Sequence, residues 1–155
     1  MGGDVKKSKR LKPIIQLAEQ REQLAVKQFT DAQNIQRERE AKLEELLLYR
    51  EEYQQKFIST ESKARSVFQF KDYHAFLMKL DAIIAEQKQL VLVSEEETDA
   101  KRQVWMKKRE KCQALEKAAE RFLEEERGIQ NKKDQKEADE HAQNRHRLTC
   151  KFDRY

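Results

Sequence analysis

Along this chain apolar residues return every seven positions in two separate stretches. In the first, Ala18, Ala25, Ala32, Leu46 and Tyr53 keep the step, and Phe29, Ile35, Leu43, Tyr49 and Phe57 sit three or four positions further on. Arg39 falls on the same step and interrupts it; its stem can lie along apolar surface while the guanidinium reaches water. The second stretch runs Leu77, Ile84, Val91, Thr98, Trp105, Cys112 and Ala119. Its companions are Tyr73, Leu80, Gln87, Ser94, Lys101, Lys108, Leu115, Phe122 and Ile129, polar in the middle. A period of about 3.5 residues is that of a left-handed coiled coil, so each stretch predicts a long helix with one apolar stripe.

The pattern fails between Ser59 and Gln69. Ser59, Thr60, Ser62 and Ser66 carry hydroxyls that compete with helix by bonding nearby backbone groups, which predicts a bend over 59–71. Pro13 suits the first turn of the first helix, and Asp72 is a candidate N-cap for the second. The predicted organisation is a basic flexible arm at 1–12, a first helix at 13–58, the bend, a second helix at 72–143 and a flexible tail at 144–155. Neither helix can bury its stripe alone, and a short bend sets neighbouring helices antiparallel. The predicted fold class is therefore all-α, two long helices in an antiparallel coiled-coil hairpin, with Ala25, Ala32, Leu77, Ile84, Val91, Trp105 and Cys112 in its core. At 1.5 Å per residue the helices span roughly 70 Å and roughly 105 Å. The longer second helix overhangs, and Leu115, Phe122 and Leu123 carry its stripe into the overhang, where a partner is expected to cover it.

Composition narrows the picture. Hydrophobic residues are 37% of the 155 and charged residues 40%, too little apolar material for a thick core but enough for a narrow seam. The same balance would suit a disordered chain, but no Pro or Gly occurs between Ile14 and Arg127, and helix-favouring Glu, Lys, Gln, Leu, Ala and Arg fill that span. The net charge of +4 is spread over interleaved acids and bases, the pattern of a solvated helix face. Only Lys6, Lys7, Lys9, Arg10 and Lys12 form a one-signed run, read as a solubilising end or, alternatively, as an arm for nucleic acid or an anionic membrane. No apolar run approaches a membrane span and no signal-peptide core follows the basic start, so a cytoplasmic protein is expected.

Sites of chemistry are not expected. A two-helix seam offers no water-excluding cleft, and the chain has no phosphate-binding glycine loop and no nucleophile elbow. His74, His141 and His146 are not spaced to share a helix face as metal ligands, and Cys112 and Cys150 match no metal or redox spacing. No catalytic residue, metal, cofactor or small-molecule substrate is expected. Aromatic residues gather near the bend instead: Tyr49, Tyr53 and Phe57 lie four apart, with Tyr73 and Phe76 opposite. They can seal the end of the hairpin, or form an amphipathic patch of the kind that anchors protein interfaces.

Several stretches together carry a resemblance to one known family. The opening Arg10-Leu11-Lys12-Pro13-Ile14-Ile15-Gln16-Leu17-Ala18-Glu19 is similar to that family's start. Tyr49-Arg50-Glu51-Glu52-Tyr53 resembles its Tyr-x-x-x-Tyr pair, and Tyr73-His74-Ala75-Phe76-Leu77-Met78-Lys79-Leu80 its Tyr-x-x-Phe-x-x-x-Leu segment. Trp105-Met106-Lys107-Lys108-Arg109-Glu110-Lys111 and Asp134-Gln135-Lys136-Glu137-Ala138-Asp139-Glu140 follow in the expected order. The family these stretches resemble is FliJ, of the bacterial flagellar type III export apparatus; the likeness runs from about residue 10 to residue 145 and leaves the tail aside.

The resemblance implies a non-enzymatic coiled coil similar to the central stalk of rotary ATPases. It would link the export ATPase ring to the membrane export gate protein and escort substrate chaperones, in the cytoplasm and peripherally associated with the inner-membrane apparatus. The gate patch it implies comprises Lys42, Leu46, Tyr49, Tyr53, Phe76, Leu80, Ile83 and Gln87. Leu115, Phe122 and Leu123 would meet the ATPase ring or the chaperones. Two other readings predict different behaviour. The stalk protein of a virulence secretion system would share the hairpin, and a nucleic-acid-associated coiled coil would bind through Lys6 to Lys12 and lose binding in salt.

Overall fold

The computed structural model describes residues 5–59 and 66–153, and these form two helices, α1 (Lys7–Ser59) and α2 (Val67–Phe152). They are 53 and 86 residues long, so α2 is the longer, and they pack against each other. Contacts gather into two compact units, Glu22–Lys108 and Met1–Arg21 with Arg109–Tyr155.

In the Glu22–Lys108 unit the pairing is antiparallel. Phe29 stacks on Trp105, the carbonyl of Ala32 accepts from Thr98, and Arg39 meets Gln87 and Leu90. Arg50 pairs with Asp81, Tyr53 meets Phe76, and Phe57 stacks on Tyr73. As α1 advances, its partners on α2 step back. The seam follows the seven-residue step: Ala25, Leu77, Leu80, Ile84 and Val91 are buried, and Ala32 and Trp105 are half-buried. Its middle is polar. Ser94, 1% exposed, donates to the carbonyl of its own Val91, so a buried hydroxyl is satisfied without a partner across the seam.

In the other unit Ala18 and Cys112 are buried, and α1 begins against α2 through Ser8, whose N–H and Oγ both donate to the Glu126 carboxylate at 3.2 and 2.7 Å. Lys7 lies over the Phe122 ring, 5.4 Å from its centre. Beyond Glu126 every described residue of α2 is exposed.

Four details differ from the sequence reading. The first helix starts at Lys7, six residues before Pro13, where Ser8 and Lys7 have partners on α2 that offset the backbone bond a proline removes. The second begins at Val67, inside the expected bend, and its cap is Ser66 rather than Asp72. Gln69 N–H donates to Ser66 Oγ and Gln69 Oε1 accepts from Ser66 N–H, a reciprocal capping box. The rest of the expected bend, 60–65, lies outside the described residues. In α1 the seam takes Gln36 and Arg50, half-buried, in place of their apolar neighbours Ile35 and Tyr49, which are exposed. The expected tail is helical to Phe152, since nothing in Asn131–Arg147 breaks a helix and Gln130 bonds Asp134 one turn on.

Candidate partner-binding surface

A hairpin seam has two flanks, and in the Glu22–Lys108 unit they differ in kind. The residues just outside the seam on one flank are Ile35, Lys42 and Tyr49 of α1, seven apart, and Phe76, Ile83 and Leu90 of α2, also seven apart. The Tyr49 and Phe76 rings meet edge to face, 6.3 Å between centres, so the two rows adjoin. On the other flank stand Gln33, Glu40, Leu47 and Gln54 facing His74, Asp81, Lys88 and Glu95. Over Ile35–Tyr49 and Phe76–Leu90 the first flank is apolar with a single charge, and the positions named opposite it are polar with a single leucine; one step further out the first flank reaches Lys56 and Glu97, and the second reaches Val26.

The polar flank is tied by Arg50, which donates from Nε and Nη2 to both carboxylate oxygens of Asp81. That hydrogen bond holds the Asp81 carboxyl below its ordinary range and pushes the Arg50 guanidinium up. On the apolar stretch the cation Lys42 pairs with Glu45 one turn away at 3.5 Å. Glu45 belongs to an exposed acidic row, Asp31, Glu38, Glu45 and Glu52, that lines the outer side of this flank.

The eight residues that the resemblance assigns to the gate separate by position. Lys42, Tyr49, Phe76 and Ile83 are on the apolar flank; Tyr49 is 50% exposed and Ile83 51%. Leu46, Tyr53 and Gln87 are half-buried in the seam behind them, and Leu80, 5% exposed, is a core residue with almost nothing to offer a partner. Tyr53 stacks on Tyr73 and tilts against Phe76, while Gln87 donates to the Arg39 carbonyl at 2.9 Å. The seam residues thus hold the flank residues in place. Ile35 and Leu90 extend the flank and were missed. Ile35 was read as seam because apolar character alone does not tell a seam residue from its neighbour; the seven-residue step from Leu43 and Phe57 points to Gln36 and Arg50 instead.

In the other unit, Leu115 and Phe122 are half-buried and Leu123 is exposed. Here Glu19, Cys112 and Glu116 bring possible metal-ligand atoms within 4.8 Å of one another. Cys112 is 2% exposed and its Sγ lies 3.7 Å from Glu116 Oε1, so the thiol is a core residue bonded along its own helix. Both cysteines are free. Among the described residues no helix is long and apolar enough to cross a membrane.

A family model described as "Flagellar FliJ protein" matches residues 7–149. No curated protein and no solved structure matches the chain.

Proposed function

The chain belongs to the flagellar FliJ family, a family of coiled-coil proteins of type III export, and from that premise we propose that it couples the export ATPase ring to the membrane export gate by mechanical contact. It performs no chemistry of its own. It works in the cytoplasm, peripherally at the export apparatus, and its helix surfaces also receive substrate chaperones. The gate is gripped through the apolar flank of the Glu22–Lys108 unit, by Tyr49, Phe76 and Ile83 with Lys42, backed by Leu46, Tyr53, Leu80 and Gln87. The unit containing Leu115, Phe122 and Leu123 serves the ring or the chaperones.

The observation that carries this reading is one-sidedness. Four residues brought in by resemblance fall on one flank, and over Ile35–Tyr49 and Phe76–Leu90 that flank is apolar where the opposite one is polar. A surface that served only solubility would have no reason to differ between its two sides. Half-exposed tyrosine against phenylalanine supplies large rigid contact area at low entropic cost, the chemistry of interface anchors. Leu80 acts by supporting the flank from behind, not by contact.

The test replaces Tyr49→Ala and Phe76→Ala together and measures binding to the cytoplasmic part of the export gate. We expect at least about a tenfold loss, equivalent to about 1.4 kcal/mol, with helicity retained, and reduced spreading of swimming cells. Gate binding equal to that of the unaltered chain would overturn the assignment.

A further inference from the structure

We propose that the groove between the start of α1 and α2, in the Met1–Arg21 with Arg109–Tyr155 unit, is a docking site for an acidic amphipathic helix of a partner protein. The groove has a volume of about 440 Å³. Ile15 and Ala119 form its floor, Leu123 one wall, and Lys9 and Lys12 its rim. At Ala119 the seam position held by Cys112 one step earlier and by Trp105 two steps earlier carries only a methyl group. Leu123 remains 42% exposed beside it.

Charge tells what would fill it. Residues 5 to 18 contain five cations and no acid. Three of the cations have local roles: Lys7 covers Phe122, and Lys6 and Lys9 act with the Ser8 hydrogen bonds to hold the Glu126 carboxyl below its ordinary range. Lys9 and Lys12 nevertheless make no ion pair among the described residues, and both stand on the rim of the apolar groove. An apolar floor with a cationic rim fits a helix whose leucine or phenylalanine enters the groove while an Asp or Glu one turn away meets the lysines. Glu19 lines the same groove, so the acids of the partner must lie toward Lys9 and Lys12. A flat anionic membrane would meet the lysines and leave the concave floor empty. The site belongs to a different unit from the apolar flank; because it includes Leu123, it rests on the proposed assignment of that unit to the ring or the chaperones and adds the chemistry of the partner that docks there.

The experiment uses the full chain and three probes: a fluorescent synthetic helix with leucines and glutamates on one face, the same helix with glutamine for glutamate, and phosphatidylglycerol vesicles. The acidic helix should bind, and binding should weaken with added salt. Lys9→Glu with Lys12→Glu should weaken it at least about tenfold. Ala119→Leu, which fills the groove and leaves every charge in place, should weaken it as much. If that variant loses helicity, Leu123→Gln on the exposed wall takes its place. Tyr49→Ala with Phe76→Ala should bind the acidic helix as the unaltered chain does, which separates this site from the gate-facing flank. No binding, equal binding of the glutamine helix, or indifference to both groove variants would overturn the proposal. So would tight vesicle binding that the groove variants leave unchanged.

Discussion

Ile83 and Ile84 are neighbours with opposite fates. Ile84 is 5% exposed in the seam, while Ile83 is on the apolar flank. Truncation should therefore separate stability from binding. Ile84→Ala should cost about 2–5 kcal/mol in thermal or denaturant unfolding, whereas Ile83→Ala should stay within about 0.5 kcal/mol and lose affinity for the gate. A second residue-level contrast concerns pH. The Ser8 hydrogen bonds lower the Glu126 carboxyl below its ordinary value. A depressed carboxylate stabilises the fold above the unfolded pKa, and that contribution fades as pH falls through the folded one. The docking of the α1 start should therefore loosen below about pH 4, and Ser8→Ala should raise the Glu126 titration midpoint, both readable by NMR. These distinctions were only partly legible in the sequence. The α2 seam was readable at Leu77, Ile84, Val91 and Cys112 because one apolar register dominates there. In α1 the apolar residues at Ile35 and Tyr49 imitate seam residues, and the seam takes Gln36 and Arg50. A residue kept apolar for a partner looks like one kept apolar for the core.

At the scale of elements, the caps decide where helices begin. The Ser66–Gln69 box was present in the sequence as Ser-x-x-Gln, but four hydroxyl residues in a row of mixed signals hid it, and Asp72 was the more obvious candidate. The α1 start was not legible at all, because Ser8 is fixed by Glu126, a residue 118 positions away. Within α2, Gly128 is helical, and a Cβ built on it meets nothing within 4 Å. Gly128→Ala should accordingly stabilise α2 by about 0.5–1 kcal/mol, seen as higher helicity and slower amide exchange around it. The polar middle of the seam predicts the opposite trade. Arg39→Leu with Gln87→Leu should raise the unfolding temperature while loosening the choice of register and partner, so that self-association appears in sedimentation.

For the molecule as a whole, two units present two different chemistries: an apolar flank bordered by acids in one and an apolar groove bordered by lysines in the other. A low apolar content had already pointed to a seam rather than a thick core, and the two-helix pairing follows from it. The sequence could not show that only one flank is apolar, since that depends on which residues lie just outside the true seam. Changes at the two surfaces should add without coupling, because no residue belongs to both. The cross-helix polar bonds carry one more consequence. Arg39 donates to the Leu90 carbonyl and Gln87 to that of Arg39. Each ends on a peptide oxygen, which every residue type supplies and which has a lone pair to spare beyond its own helical bond. The alignment of the two strands of this zip is therefore indifferent to what evolution writes at position 90, an exposed site that is free to drift toward whatever a new companion demands.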